Sequence, residues 1–279
     1  MTASLGEACR AVLLTADPAA KVRAARAAAR NWRRGQLRHA FDVALPSRPA
    51  RPDRPLLLPP SQMPKRGKGG TEAGRVALLH ALAHIEFVAI DLAVDLVGRF
   101  GGGFPRAFAD DWMGVAADEA MHFAILDRRL RQLGSFYGAL PAHDGLWEAA
   151  EATAHDPLAR LAVVPMVLEA RGLDVTPQTI ERFERAGDTV STRPLRRILA
   201  DEIRHVGAGV RWFRHACEES DESPAAVWGR LVATHFGGAV KPPFNASARA
   251  SAGLTPEWMA LVAPGYASGP GKFPSSREG

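Results

Sequence analysis

Apolar residues recur along this chain at spacings of three and four, with no convincing alternation of two, so the pattern predicts helices and no strand. Two short helices fit residues 4–15 and 18–34, with Ser4 and Asp17 as N-caps and Pro18 in the first turn. Residues 45–70 hold seven prolines and end in glycines, which excludes a helix and predicts an extended strap. Leu56, Leu57 and Leu58 predict that part of the strap lies against an apolar surface. Thr71-Glu72 opens a long helix to about Phe100, where Gly101-Gly102-Gly103 stops it, and Pro105 opens another to about Leu133. Asp156-Pro157 starts a third that ends near Gly172, Thr176-Pro177 a short extra one, and two more fit 190–218 and 223–237. The expected class is all-α. It comprises an N-terminal helical extension and strap (1–70), a bundle of four principal helices (71–238) and an irregular tail packing on it (239–279).

The four principal stripes are not purely apolar. Glu86 shares a face with Leu79, Leu82, Ala83, Ile90, Ala93 and Val97; Glu119 and His122 lie among Trp112, Val115, Phe123, Leu126 and Leu130. Glu169 follows Leu158, Leu161, Ala162 and Met166, and Glu202 and His205 sit with Leu195, Ile198, Leu199, Val206 and Phe213. A Glu and a His three residues apart project side by side from one helix face. Burying an ionised carboxylate costs several kcal/mol unless it is paired or bound to a metal. Four acids and two imidazoles on core faces therefore predict two cations held by Glu86, Glu119, His122, Glu169, Glu202 and His205. Oxygen with imidazole favours iron, with manganese or zinc also compatible, over calcium or copper(I).

The spacing repeats. Glu86 and Glu119 are 33 residues apart, as are Glu169 and Glu202, and Ala117-Asp118-Glu119-x-x-His122 precedes Ala200-Asp201-Glu202-x-x-His205 by 83. Asp91 and Asp174 each lie five residues after a lone glutamate. Two helix-pair halves related by an approximate twofold would bring the four acids together.

This order of Glu, Glu-x-x-His, Glu, Glu-x-x-His resembles the ferritin-like di-iron carboxylate superfamily. The chain is more closely similar to the bacterial group known as domain of unknown function 455. The likeness is carried by HALAHIEFVAIDLAVDL (80–96), ADEAMHFAILDRRL (117–130), VPMVLEARGLDVTP (164–177), ADEIRHVGAG (200–209) and KPPFNASARASAGL (241–254). It implies a metal-binding four-helix bundle and supplies no substrate.

Asp118 and Asp201 precede the glutamates of the two Glu-x-x-His motifs and are expected to reach the opposite half's histidine, since a ligating imidazole donates its second N–H to a carboxylate or carbonyl. Arg204 would neutralise one of them, and Met121 takes its place in the first motif, so the surroundings are expected to be asymmetric. His80 and His84 fall off the Glu86 face and read as core or capping residues. His39, His143, His155, His215 and His235 fit no ligand pattern. Neither tyrosine, Tyr137 or Tyr266, lies beside a glutamate on a ligand helix, which disfavours a stored tyrosyl radical. Pro165, four residues before Glu169, is expected to kink its helix.

Charge adds one feature. The net charge is +5, yet residues 1–75 carry 15 Lys and Arg against five Asp and Glu, and the remainder 20 against 25. Such a collar suits an anionic partner such as RNA, the plain alternative being solvated charge. Two cysteines exclude a disulfide framework, and no uninterrupted apolar run reaches the ~18 residues of a membrane span, so a cytoplasmic protein is expected. The chemistry implied is a di-iron oxidoreductase that uses oxygen or peroxide on an unknown small-molecule or macromolecular substrate. The alternatives are a non-catalytic iron-binding or stress-protection protein and, by likeness to superfamily members, a tRNA-modifying hydroxylase.

Overall fold

Ser4 and Glu7 start the first helix by capping one another: the Glu7 N–H donates to Ser4 Oγ and the Ser4 N–H to Glu7 Oε2. That helix is α1 (Leu5–Leu13), and Asp17 with Pro18 begins α2 (Pro18–Arg33). The computed structural model describes residues 3–64, 70–218, 220–237, 239–263 and 266 and is all-helical. Among those residues only the isolated bridges Ser4–Arg38 and Leu57–Ala142 pair backbone in a β manner.

Thr71 caps α3 (Glu72–Phe100), the three glycines tighten into a 3-10 turn, and α4 (Arg106–Gln132) follows. These two long helices pack along one another, with α1 on α3 and α2 on α4. By length and composition α3 does qualify as a membrane span, contrary to the estimate from uninterrupted runs, but 67% of its apolar window is buried inside the protein. A short helix that the pattern did not predict, α5 (Gly145–Ala152), precedes the third long run.

That third run corrects the sequence reading. In place of a helix ending near Gly172 and a separate one from Thr176, α6 (Pro157–Val163), a π-helical turn (Val164–Glu169) and α7 (Ala170–Arg185) are continuous. Gly172 stops nothing. At Pro177, which has no N–H to give the Leu173 carbonyl, Asn245 Nδ2 donates to that oxygen instead, at 3.2 Å. Pro165 lies in the π turn, and just before it, in α6, the Ala162 carbonyl accepts from the Trp228 indole N–H at 3.1 Å.

The fourth long helix, α8 (Thr189–Ala216), packs on α4, α6, the π turn and α7, and α9 (Pro224–His235) packs on α6. The tail is more ordered than expected: α10 (Ala246–Ser251) lies on α7 and α8, and α11 (Pro256–Val262) on α9. Residues 264–265 and 267–279 of the predicted tail lie outside the described residues. One apolar core runs from Leu5 to Ala263, so both flanking regions share the core of the long helices.

The strap is extended apart from a single turn at Pro60–Gln62. Around the leucines its contact with the body is made by backbone, with Leu58 N–H donating to the Ala142 carbonyl and Ala142 N–H to that of Leu56, while Arg48 and Arg51 bind it by ion pairs. Of the three leucines only Leu58 is half-buried, Leu56 being 63% and Leu57 41% exposed, and Pro49 and Pro55 are the buried side chains of the strap. Part of the predicted strap, residues 65–69, lies outside the described residues.

Helix α8 presses directly on the π turn. A Cβ on Gly209 would fall 2.7 Å from Cβ and 2.8 Å from Cγ of Pro165. A proline ring offers no flexible end to move aside, so Gly209→Ala is expected to destabilise the protein by about 1–3 kcal/mol. Urea unfolding should show a lower midpoint with unchanged slope, and an unaltered midpoint would contradict this tight contact.

Candidate metal centre

Acids and imidazoles converge where the buried stripes of the long helices meet. Glu86 comes from the middle of α3, Glu119 and His122 from α4, Glu169 from the end of the π turn, and Glu202 and His205 from α8. One ligand atom each from Glu86, Glu119, His122 and Glu202 lies within 4.8 Å of the others. His122 Nδ1 is 3.1 Å from Glu86 Oε2 and 3.5 Å from Glu119 Oε2. His205 Nδ1 is 2.8 Å from Glu119 Oε1 and 3.6 Å from Glu202 Oε1, so Glu119 stands between the two imidazoles. Glu169 is not among those four, and its carboxyl is raised by burial and then by the charges of Glu202 and Glu119.

The outer ring nitrogens face aspartates. His122 Nε2 lies 3.1 Å from Asp201 Oδ2, and His205 Nε2 lies 3.4 Å from Asp118 Oδ2. Each aspartate thus serves the imidazole of the other helix. Arg204 contacts both, at 3.2 Å from Asp118 and 2.5 Å from Asp201, and Arg197, which the motif reading did not single out, adds 2.5 Å to Asp201. Its signal was local: Arg197 and Asp201 are four residues apart on one helix. A proton held on Nε2 by aspartate leaves the Nδ1 lone pair aimed at the glutamates, the orientation a metal ligand requires.

Among protein groups alone these carboxyls cannot all ionise. Burial first, and then Glu119, pushes the Glu86 carboxyl well above the usual range; the same causes raise Glu202. Burial and then Glu202 do so for Glu169. Burial opposes charging of the imidazoles, but Glu119 and Glu86 carry His122 up to about 11, and Asp118 with Glu119 raises His205. Burial likewise works against ionised Glu119, yet His122 and His205 hold its carboxyl below the usual range.

Two buried carboxylate oxygens at this spot, Glu119 Oε2 and Glu169 Oε2, make no hydrogen bond, the first having only an ionic contact with His122 Nδ1 at 3.5 Å, while His205 Nδ1 faces Glu119 Oε1 at 2.8 Å without an aligned hydrogen bond. Leaving such an atom unpaired costs about 1–3 kcal/mol, so protein interiors rarely do so without a partner of another kind. Carboxylate oxygen and imidazole nitrogen are the donors that iron, manganese and zinc accept. The donor set fits: this buried Glu/His cluster can hold a metal ion.

Two cavities flank the region. One of ≈ 940 Å³ between α4 and α8 is lined by Gly114, Asp118, Arg204, His205, Gly207 and Arg211, among others, and so reaches the cluster's edge. Another of ≈ 360 Å³ behind α3 touches His80 and His84 but none of the six glutamates and histidines. Those two histidines secure the 137–143 loop. His80 Nε2 accepts from Gly138 N–H at 2.9 Å, while His84 lies 3.0 Å from the Tyr137 hydroxyl and 3.1 Å from the His143 carbonyl. Tyr137 packs on Phe87 and Phe123, the chain neighbours of Glu86 and His122. Helix periodicity could not reveal this approach, because Tyr137 arrives from a loop.

The family described as a protein of unknown function, DUF455, matches residues 14–260. The chain belongs to the DUF455 family. The matched span contains all six residues of the cluster and the four charged residues behind its imidazoles, Asp118, Arg197, Asp201 and Arg204. A similar protein from Haemophilus influenzae, described only as uncharacterized, is 42% identical over 210 residues, covering 73% of each chain. No solved structure matches this member of the family.

Proposed function

We propose that the chain is a ferritin-like four-helix carboxylate protein whose α3, α4, α6–π–α7 run and α8 enclose two metal ions. Glu86, Glu119, His122, Glu169, Glu202 and His205 are the ligands, iron is the favoured metal, and manganese or zinc are the alternatives. The observation that carries this reading is the pair of buried carboxylate oxygens without a hydrogen bond, Glu119 Oε2 and Glu169 Oε2, beside imidazoles whose outer nitrogens face aspartate. Bound iron would supply electrons to dioxygen or peroxide, which makes an oxidoreductase acting on an organic substrate the function this site supports best. The protein groups hold the rest of the chemistry in place. Asp118 and Asp201 fix the imidazole tautomers, Arg204 ties the two aspartates together, and the α4–α8 cavity gives a substrate a way to the His205 side.

Elemental analysis of protein purified from its native host, followed by anaerobic ferrous loading and exposure to oxygen, tests the proposal. Iron content with oxidation that stalls at about two equivalents supports a redox centre awaiting substrate. Continued uptake of many irons would assign the chain to storage instead. Zinc alone, with no oxidation on ferrous loading, would assign a structural site.

A further inference from the structure

We propose that the exposed face of α2 binds the phosphate backbone of a structured nucleic acid, a reading independent of the metal centre. Two groups of cations stand apart in the N-terminal region. Lys21 and Arg51 pair with Asp91, Arg48 with Asp144 and Glu151, and Arg75 with Asp188, so these cations are spent inside the protein. Arg23, Arg26, Arg30, Arg33 and Arg34 are exposed and, among the described residues, make no ion pair. At 3.6 residues per turn these five lie within roughly a 100° arc along about 16 Å of helix. No acid interrupts them in α2.

The opposite face decides which polyanion fits. Lys21, Ala25, Ala28, Ala29 and Trp32 are buried there, and α2 packs on α4 and α1. A helix that lies in an anionic membrane needs an apolar face for the lipid, and in α2 that face is already covered by protein. A duplex backbone asks only for positive charge in a row. It presents a phosphate about every 1.7 Å of its axis, and guanidinium forks match phosphate oxygens. With its tryptophan buried, α2 offers no aromatic platform for unstacked bases, so the contact is with backbone and independent of sequence.

Fluorescence anisotropy of the full-length protein with a 20-base-pair RNA duplex and the matching DNA duplex tests this, beside sedimentation with phosphatidylserine-containing vesicles. Binding to either duplex is expected, weakening by about 10²-fold between 50 and 200 mM salt for four to five phosphate contacts. The tighter of the two duplexes names the source. Arg23→Gln/Arg26→Gln/Arg30→Gln should weaken binding at least about tenfold and flatten the salt dependence. Arg182→Gln/Arg185→Gln/Arg193→Gln, which removes the same charge from exposed sites on α7 and α8, should leave binding unchanged. Circular dichroism and the melting midpoint establish that both variants are folded. No binding at 50 mM salt, or equal losses in the two variants, would overturn the proposal. So would vesicle binding tighter than duplex binding and lost in the α2 variant, which would give the face to lipid.

Discussion

Glu86→Gln, Glu169→Gln and Glu202→Gln proteins should lose bound metal and, metal-free, become more stable at neutral pH. Both effects come from the same burial. Each of these carboxyls is raised above its ordinary value by desolvation and by neighbouring acids. A raised group contributes stability that is fully present below its unfolded pKa, near 4.3, and lost as pH rises through its folded value. Glutamine keeps the shape of the protonated acid and does not titrate, so the loss that sets in above about pH 4.3 is avoided. The gain is expected to be about 1–3 kcal/mol per substitution in urea unfolding at pH 7.5.

Glu119→Gln separates the two roles. Its carboxylate lies between His122 and His205 and is held below the usual range, so its contribution is present above about pH 4.3 and lost as pH falls. Removing that charge leaves two imidazoles facing each other without their shared anion. The metal-free Glu119→Gln protein should therefore be less stable at pH 7.5, while its metal is lost as in the other three. Metal binding must also displace the protons held by Glu86, Glu169, Glu202, His122 and His205. Affinity is then expected to rise at least about tenfold per pH unit from pH 6 to 8, with proton release detectable in weakly buffered solution. Full metal content in Glu202→Gln, or affinity that does not change with pH, would show that the cluster is not the metal site.

The candidate site was legible because burying acids breaks the strongest regularity in the chain. An otherwise apolar stripe with a glutamate in it is conspicuous at a period of 3.6, and the 83-residue repeat showed Glu119-x-x-His122 and Glu202-x-x-His205 to be equivalent. Which imidazole faces which aspartate also depends on how α4 and α8 are placed side by side, a relation between helices rather than within one. The same distinction explains the errors in the fold. Pro177 reads as a break until Asn245, far along the chain, supplies the hydrogen bond that the proline cannot. Helices α10 and α11 are too short to build up a period, and Leu56 and Leu57 do not signal a buried contact because this part of the strap pairs with Ala142 through its backbone. The basic collar, likewise, looked uniform in composition; only tertiary contacts divide Lys21 and Arg51 from the exposed arginines of α2.

Lys21→Met and Arg249→Met are each expected to destabilise the protein by about 3 kcal/mol or more, lowering the melting midpoint by about 6–12 °C. Their partners are the two aspartates that follow the lone glutamates by five residues. Asp91 on α3 is held by Lys21 from α2 and Arg51 from the strap. Asp174 on α7 is held by Arg249 from α10 through bonds of 2.9 and 2.7 Å, with Arg171 at 3.4 Å. Equivalent positions of the repeat thus tie opposite ends of the chain to the long helices. Burial pushes the Asp91 carboxyl up and the Lys21 ammonium down, each toward its neutral form even with the partner present. Desolvation therefore outweighs attraction in this pair, and Lys21→Met/Asp91→Leu should recover most of the loss, with partly exposed Arg51 turning to solvent. A double variant as unstable as Lys21→Met would instead make the ion pair a net source of stability. Because Asp91 and Asp174 lie about one and a half helical turns from Glu86 and Glu169, the single variants should also hold metal less tightly. The recovered double variant should regain it, which places the end segments in control of the angles at which the lone glutamates enter the site.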